Sequence, residues 1–305
     1  MNRRYGLMLT VLALIWGSSF MFIKVAVREL APYVLMLGRL GLAALTLAIV
    51  VPLLVGGRET VRELGLHWRA LAVVGLLNSA VPFWLLAWGE TRIDSGLASI
   101  VQASVPIFNV LLAFAFFHDQ RVTRQMLAGI AVGFVGVALL VGAQPQGKIL
   151  GALAVVGMAI CYAGSGLLTR RYLSESRPQV VALGTSAIAA LAALPFGVVQ
   201  APDAVPGWKS LASVAVLGVL GTAAAYLLFF TIIAGAGAAY AALVTYLVPP
   251  VALAYGAVFL GESVGMTALA GLLLILGGVT LGTRKQRGRI GASLQTRLAS
   301  ASPEP

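Results

Sequence analysis

Residues 96–119 read GLASIVQASVPIFNVLLAFAFFHD. The stretch is about as long as a bilayer is thick, since roughly 20 residues make one spanning helix. Most of it is apolar, yet Ser99, Gln102, Pro106 and Asn109 share one face at helical spacing. A polar stripe in hydrocarbon is costly unless protein or water meets it. Pro106 brings no backbone donor to the turn before it and so frees the carbonyl of Gln102. A half-broken apolar helix with a polar face near the midplane is how many carriers build a binding site. The plan returns in residues 239–262, AYAALVTYLVPPVALAYGAVFLGE. There Gln102 becomes Thr245, Pro106 becomes Pro249, Phe116 becomes Phe259 and Asp119 becomes Glu262.

The whole chain shares this character. Of its 305 residues, 60% are hydrophobic and 10% charged. A soluble domain carries roughly a quarter charged residues. Too little polar surface is left to coat a soluble body, so the chain reads as an all-α membrane protein embedded in a lipid bilayer. A formal charge of +11 raises the question of nucleic acid. That partner is rejected, because the basic residues sit in short loops and at the C-terminus, as topology signals do. Cys161 is the only cysteine. An internal disulfide and a thiolate metal cluster are thereby excluded, and neither metal nor cofactor is expected.

Ten spans follow from the apolar runs, over residues 7–27, 33–54, 70–89, 96–117, 123–142, 149–169, 178–199, 210–230, 238–260 and 265–283. The first resembles a secretory signal but shows no small-residue cleavage site before Lys24, and it joins the internal repeat, so an uncleaved span is expected. With the N-terminus inside, alternation puts Arg3, Arg4, Arg58, Arg62, Arg69, Arg121, Arg124, Arg170, Arg171, Arg177, Arg284, Lys285, Arg287, Arg289 and Arg297 on the inner side. Lys24, Arg28, Arg92, Lys148 and Lys209 fall outside. This imbalance predicts cytoplasmic termini and a cell-membrane location.

The halves repeat. Ser19, Glu29, Pro32, Leu37 and Gly38 align with Ser165, Glu175, Pro178, Leu183 and Gly184; Trp16 meets Tyr162 and Lys24 meets Arg170. Each unit has an odd number of spans, so the second enters the membrane upside down: two inverted five-helix repeats. The units run over 1–147 and 148–286. A basic, polar cytoplasmic tail, 287–305, follows.

A cavity between the halves would draw on Trp16 and Ser19, Asn78, Gln102 and Asn109, Tyr162 and Ser165, Tyr226, and Tyr240 and Thr245. Its walls would be aromatic, with amides and hydroxyls and no fixed charge at the centre, suiting a small amphipathic solute. Helix–helix packing is the other reading of Trp16, Tyr162, Gln102 and Asn109. Pro82, Pro106 and Pro249 read as hinges or kinks. Symmetry relates a Lys24–Glu262 pair at the outer mouth to an Asp119–Arg170 pair at the inner mouth, which would close in turn. The alternative is charge snorkelling at the headgroups. Arg39, about 10 Å inside Pro32, needs a carbonyl, carboxylate or water at that depth, as a structural anchor or an anion contact. Gly129, Gly133 and Gly136 face Gly271, Gly278 and Gly282 as ridges that would pack the halves of a monomer, with a homodimer face as the alternative. No Asp, Glu or His stands at mid-span. His118 beside Asp119 lacks a nucleophile, so no catalysis is expected. The turn at 234–238, AGAGA, lacks a phosphate-loop lysine.

At this point the sequence resembles the EamA-type ten-span members of the drug/metabolite transporter superfamily. The resemblance rests on LIWGSSFMFIK at 14–24, the P-x6-R spacing of Pro32 and Arg39, LVPPVALAYGAVFLGES at 247–263 and ALAGLLLILGG at 268–278, and it covers 7–283. It implies an inner-membrane carrier, mostly for efflux of metabolites, amino acids or drugs, with a central cavity. The chain departs from the pattern in reading His118–Asp119 where Gly261–Glu262 stands in the second half. Taken together, these readings predict a secondary exporter of small metabolites such as apolar or aromatic amino acids, working by alternating access. A multidrug or lipophilic-cation exporter is the close alternative and a membrane lipid enzyme the remote one.

Overall fold

The computed structural model describes residues 3–116, 124–142 and 146–281. All regular structure among them is helical. We number the helices α1 (Arg3–Ala26), α2 (Pro32–Val55), α3 (Gly57–Glu90), α4 (Ser95–Phe116), α5 (Arg124–Gly142), α6 (Gln146–Tyr172), α7 (Pro178–Val199), α8 (Trp208–Ala236), α9 (Ala238–Ala241 with Val244–Leu260) and α10 (Met266–Leu281). Eight are long and apolar enough to cross a membrane; the second part of α9 and α10 are shorter. Leu53 and Val199, 81% and 85% exposed, belong to an outer surface that water would penalise and lipid accepts. We call the side where α1 begins the N-terminal face.

Helix α3 is longer than its apolar run. Gly56, at φ +99°, ends α2, and the amphipathic segment from Gly57 continues as helix without a break into the span at 70. Glu59 and Arg62 pair along this extension at 2.9 Å. The expected inter-span loop is therefore helix. Helix α8 likewise outruns its expected end at 230.

Four of the central helices are irregular. Leu76–Ala80 in α3 and Val219–Ala224 in α8 are π-turns. In α3 the π-turn precedes Pro82, which brings no donor for the carbonyl of Asn78. Helix α4 breaks at Ala103 and Ser104, where the carbonyl of Gln102 has lost its partner to Pro106. The counterpart differs. Helix α9 runs through Pro249 and Pro250 and breaks instead at Ala242 and Leu243, so the interruption is not carried over to the same aligned position.

The first five helices pack mainly against the last five. Helix α2 runs along α7, α1 along α8 and α9, and α6 along α3 and α4. The glycine ridges of α5 and α10 meet: a Cβ on Gly278 would collide with backbone at Gly129 and Gly133. Gly282 lies outside the described residues. Carboxylates also cross between the halves. Glu262 accepts hydrogen bonds from Ser95 N (2.9 Å), Ser95 Oγ (2.8 Å) and Gly96 N (3.1 Å), which caps α4. Gly207 N donates to Glu29 (2.7 Å) at the start of α8, and Arg177 N to Glu63 (3.0 Å) at the start of α7.

Replacing Glu262 with Ala should cost roughly 2–3 kcal/mol, the scale of a few partly buried charged hydrogen bonds. Glu262→Gln should recover about half of that loss, because an amide oxygen still accepts. Thermal unfolding of the detergent-solubilised protein measures both; equal midpoints for wild type and Glu262→Ala would show that the cap contributes nothing.

Candidate binding cavity

A cavity of about 470 Å³ lies where the irregular helices meet. Trp16, Ser19, Asn78, Gln102, Tyr162, Tyr226 and Thr245, the residues the sequence offered for such a cavity, line it, and so does Pro249, which the sequence offered as a hinge. Ser165 stands behind the wall, with Oγ 3.1 Å from Asn78 Oδ1 and 2.9 Å from the carbonyl of Tyr162. Asn109, Tyr240, Pro82 and Pro106 are not wall residues. Asn109 faces Gly166, and the hydroxyl of Tyr240 packs toward Gly6, near the N-terminal face.

Phe20, Phe83, Phe229 and Phe230 complete the aromatic wall. Trp16 and Phe229 rest 5.4 Å apart at 47°, and Tyr226 lies 6.2 Å from Phe230. Such rings supply flat apolar surface with little conformational freedom left to lose.

The charge at the centre is the main departure from the sequence reading, which expected none. Arg39 is 6% exposed and lines the cavity. Its Nε donates to Thr222 Oγ1 at 2.9 Å, and its guanidinium lies 3.9 Å from the centre of the Phe83 ring. Thr222 in turn donates to the carbonyl of Leu217, five residues back, inside the π-turn of α8. On the other side Asn78, in the π-turn of α3, donates to Tyr226 Oη at 3.3 Å. The two π-turns thus hold one polar cluster between them. Among the described residues that bond from Nε is the one hydrogen bond the guanidinium makes, and the rest of the group belongs to the cavity wall. The depth of Arg39 was legible from its distance to Pro32; its partners, on α3 and α8, were not.

The cavity wall extends toward the N-terminal face as far as Thr169 and Val181, near the ends of α6 and α7. Toward the opposite face it stops at Leu86 and Ser99. Beyond them Lys24 Nζ donates to the carbonyls of Glu90 (2.7 Å) and Ile93 (2.6 Å), and Glu262 holds the start of α4. A separate polar hollow on that face, lined by Lys24, Arg28, Asp94 and Glu262, shares no residue with the cavity. Lys24 and Glu262 are neighbours here, but each has taken another partner. Arg170 is exposed at the N-terminal face, and Asp119 lies outside the described residues. Glu90, which the sequence reading passed over, is fully buried in this seal.

Comparison with known proteins gives these features a context. The profile of the EamA-like transporter family matches residues 4–142 and 149–284. A protein of Streptantibioticus cattleyicolor named "Probable terminal-alkyne amino-acid exporter" is 33% identical, over 93% of this chain and 94% of its own. One of Salmonella typhimurium named "Probable amino-acid metabolite efflux pump" is 29% identical, over 92% and 94%. A solved crystal structure superposes with a TM-score of 0.63 at 18% identity, covering 94% of this chain and 99% of the other, and supports the fold.

The wall's extent predicts which side wets the site. In a Cys161→Ser background, Gln102→Cys and Thr169→Cys should react with a membrane-impermeant maleimide from the N-terminal face. Ser95→Cys should stay protected from both faces. Labelling of Gln102→Cys only from the opposite face would reverse the assignment.

Proposed function

The chain belongs to the EamA-like transporter family, and from that premise we propose that it exports small amino acids and related metabolites, with apolar or aromatic side chains favoured. The observation that carries this reading is Arg39. An aromatic hollow by itself suits lipophilic cations as well as amino acids. A fixed guanidinium in its wall repels cations and offers a carboxylate paired, charge-assisted hydrogen bonds. The rings then take an apolar side chain, while Asn78, Gln102 and Thr245 supply groups for the ammonium. The names of the two bacterial relatives point to the same class. This disfavours the multidrug alternative.

We further propose that the two five-helix halves are inverted copies and that they rock about the central site. The recurrence of π-turns at Leu76–Ala80 and Val219–Ala224 supports this. So does the matched packing of α1 on α8 and α9 and of α6 on α3 and α4. With the basic loops in the cytoplasm, the N-terminal face is the inner face and the cavity is open inward. Pro82 and Pro106, beside the irregular turns of α3 and α4, would be bending points in such rocking, and in α9 the break at Ala242 and Leu243 would take the part expected of Pro249. The sequence positions of Asp119 and Arg170 mark where the inner mouth would close in the alternate state.

Purified protein in liposomes, given labelled phenylalanine, tests the reading. Arg39→Gln should weaken phenylalanine binding about ten- to hundredfold, since charged hydrogen bonds contribute roughly 1.5–3 kcal/mol. Phenethylamine, which lacks the carboxylate, should compete poorly with wild type and equally with wild type and variant. Strong competition by tetraphenylphosphonium, with phenylalanine ignored, would make the protein a cation exporter instead.

A further inference from the structure

Glu90 ends α3 inside the seal at the face opposite the N-terminus, and nothing above uses its side chain. It is 0% exposed. Both carboxyl oxygens lack a hydrogen-bond partner among the described residues. Lys24 is the nearest source of positive charge, yet its ammonium is held by the main-chain carbonyls of Glu90 and Ile93. No ion pair reaches the Glu90 carboxyl among the described residues. The charged groups that act on it are Lys24 on α1, Arg39 on α2 and Glu262 in the link between α9 and α10. From α4 the neighbouring turn presents Ser95 and Gly96, whose donors already serve Glu262. From α6 the backbone of Gly151 closes against Gly89.

Burying an isolated carboxylate without donors costs more than giving it a proton. A second anion beside the Glu262 carboxylate adds to that cost. We propose that Glu90 is a proton-binding site, and that the opposite face closes only when the proton is on it. The proposal rests on the alternating-access reading above and adds a proton to its cycle. With that face open, water reaches the ionised carboxylate. A hydronium ion transfers its proton to a Glu90 carboxylate oxygen, one O–H bond forms as another breaks, and a water molecule remains. The neutral side chain is then enclosed beneath Lys24 and Ile93. Reopening returns the proton to water. Each closure of this face therefore takes up one proton from the solution it faces.

The test uses the full chain in liposomes, with phenylalanine flux measured as the pH on the opposite face is varied. Wild-type flux should rise as that pH falls, approaching tenfold per unit while the open form is ionised, the limit for one proton. Glu90→Gln keeps the shape and cannot ionise, so its flux should be independent of that pH. A slope retained in Glu90→Gln, or a flat wild type that still carries phenylalanine, would overturn the proposal. A second measurement needs no substrate. Infrared spectra of the purified protein at neutral pH should contain the carbonyl stretch of a protonated carboxyl that Glu90→Gln lacks. Identical spectra in that region would overturn the proposal even if transport were normal. Should phenylalanine not be carried at all, the transport reading fails, and the infrared comparison still decides the proton site.

Discussion

Hydrocarbon neither donates nor accepts a hydrogen bond, so a helix in lipid can break only where protein or water takes over the freed backbone groups. That constraint places the site. The π-turns of α3 and α8 and the breaks in α4 and α9 each contribute a residue to the cavity wall: Asn78, Gly221, Ala103 and Ala242. Side chains take up part of what the irregular backbone releases. Thr222 reaches the carbonyl of Leu217, Ser104 that of Val101 and Thr245 that of Ala242. A straight helix at any of these positions would fill the space with side chains at ordinary spacing. The hollow and the broken helices are one feature.

Charge is handled by the same economy. Lys24, Arg39 and Glu262 are met by backbone groups, hydroxyls or an aromatic face, and Glu90 is the exception. Arg39 uses Thr222 and the Phe83 ring. Lys24 binds carbonyls near the end of α3, where the helix dipole is negative, and Glu262 binds N–H groups at the start of α4, where it is positive. This explains why Lys24 and Glu262 do not pair although they line one hollow. Two carbonyls take the ammonium, and two N–H groups with a hydroxyl take the carboxylate, each through charge-assisted hydrogen bonds. Both solutions also satisfy helix ends that would otherwise be left unpaired.

What was legible in the sequence follows from which forces are local. Apolar run length gave the spans, because membrane thickness acts on each segment separately. Helical periodicity gave Gln102 and Thr245, since a polar stripe must face inward whatever its partner. Gly56 and the extension of α3 were missed because a charged amphipathic stretch resembles a loop when only hydropathy is weighed. Asn109 shares a face with Gln102 only if α4 is continuous, and the break at Ala103 and Ser104 separates them; Tyr240 lies beside Gly6, near the N-terminal face. Glu90 stands among Gly89, Thr91 and Arg92, a run that reads as solvated. Its burial comes from α1, α4 and α6 packing on the end of α3, which no window around residue 90 contains.

The two ends of the molecule are held by different kinds of contact. Helices α5 and α10 meet through glycine backbones, and what they gain from packing is lost at once if they separate. The seal at the opposite face is built from Lys24, Glu262 and Glu29 on backbone groups. Water offers the same hydrogen bonds to each of these groups, so opening the seal exchanges partners rather than removing them. At the N-terminal face the cross-half contact of Arg177 with Glu63 is more exposed, and the cavity reaches toward that side. A carrier that must open one mouth at a time needs a contact that stays and contacts that exchange with solvent. In the cycle proposed above, the glycine ridge would be the first, and the carboxylate caps and lysine clamp the second.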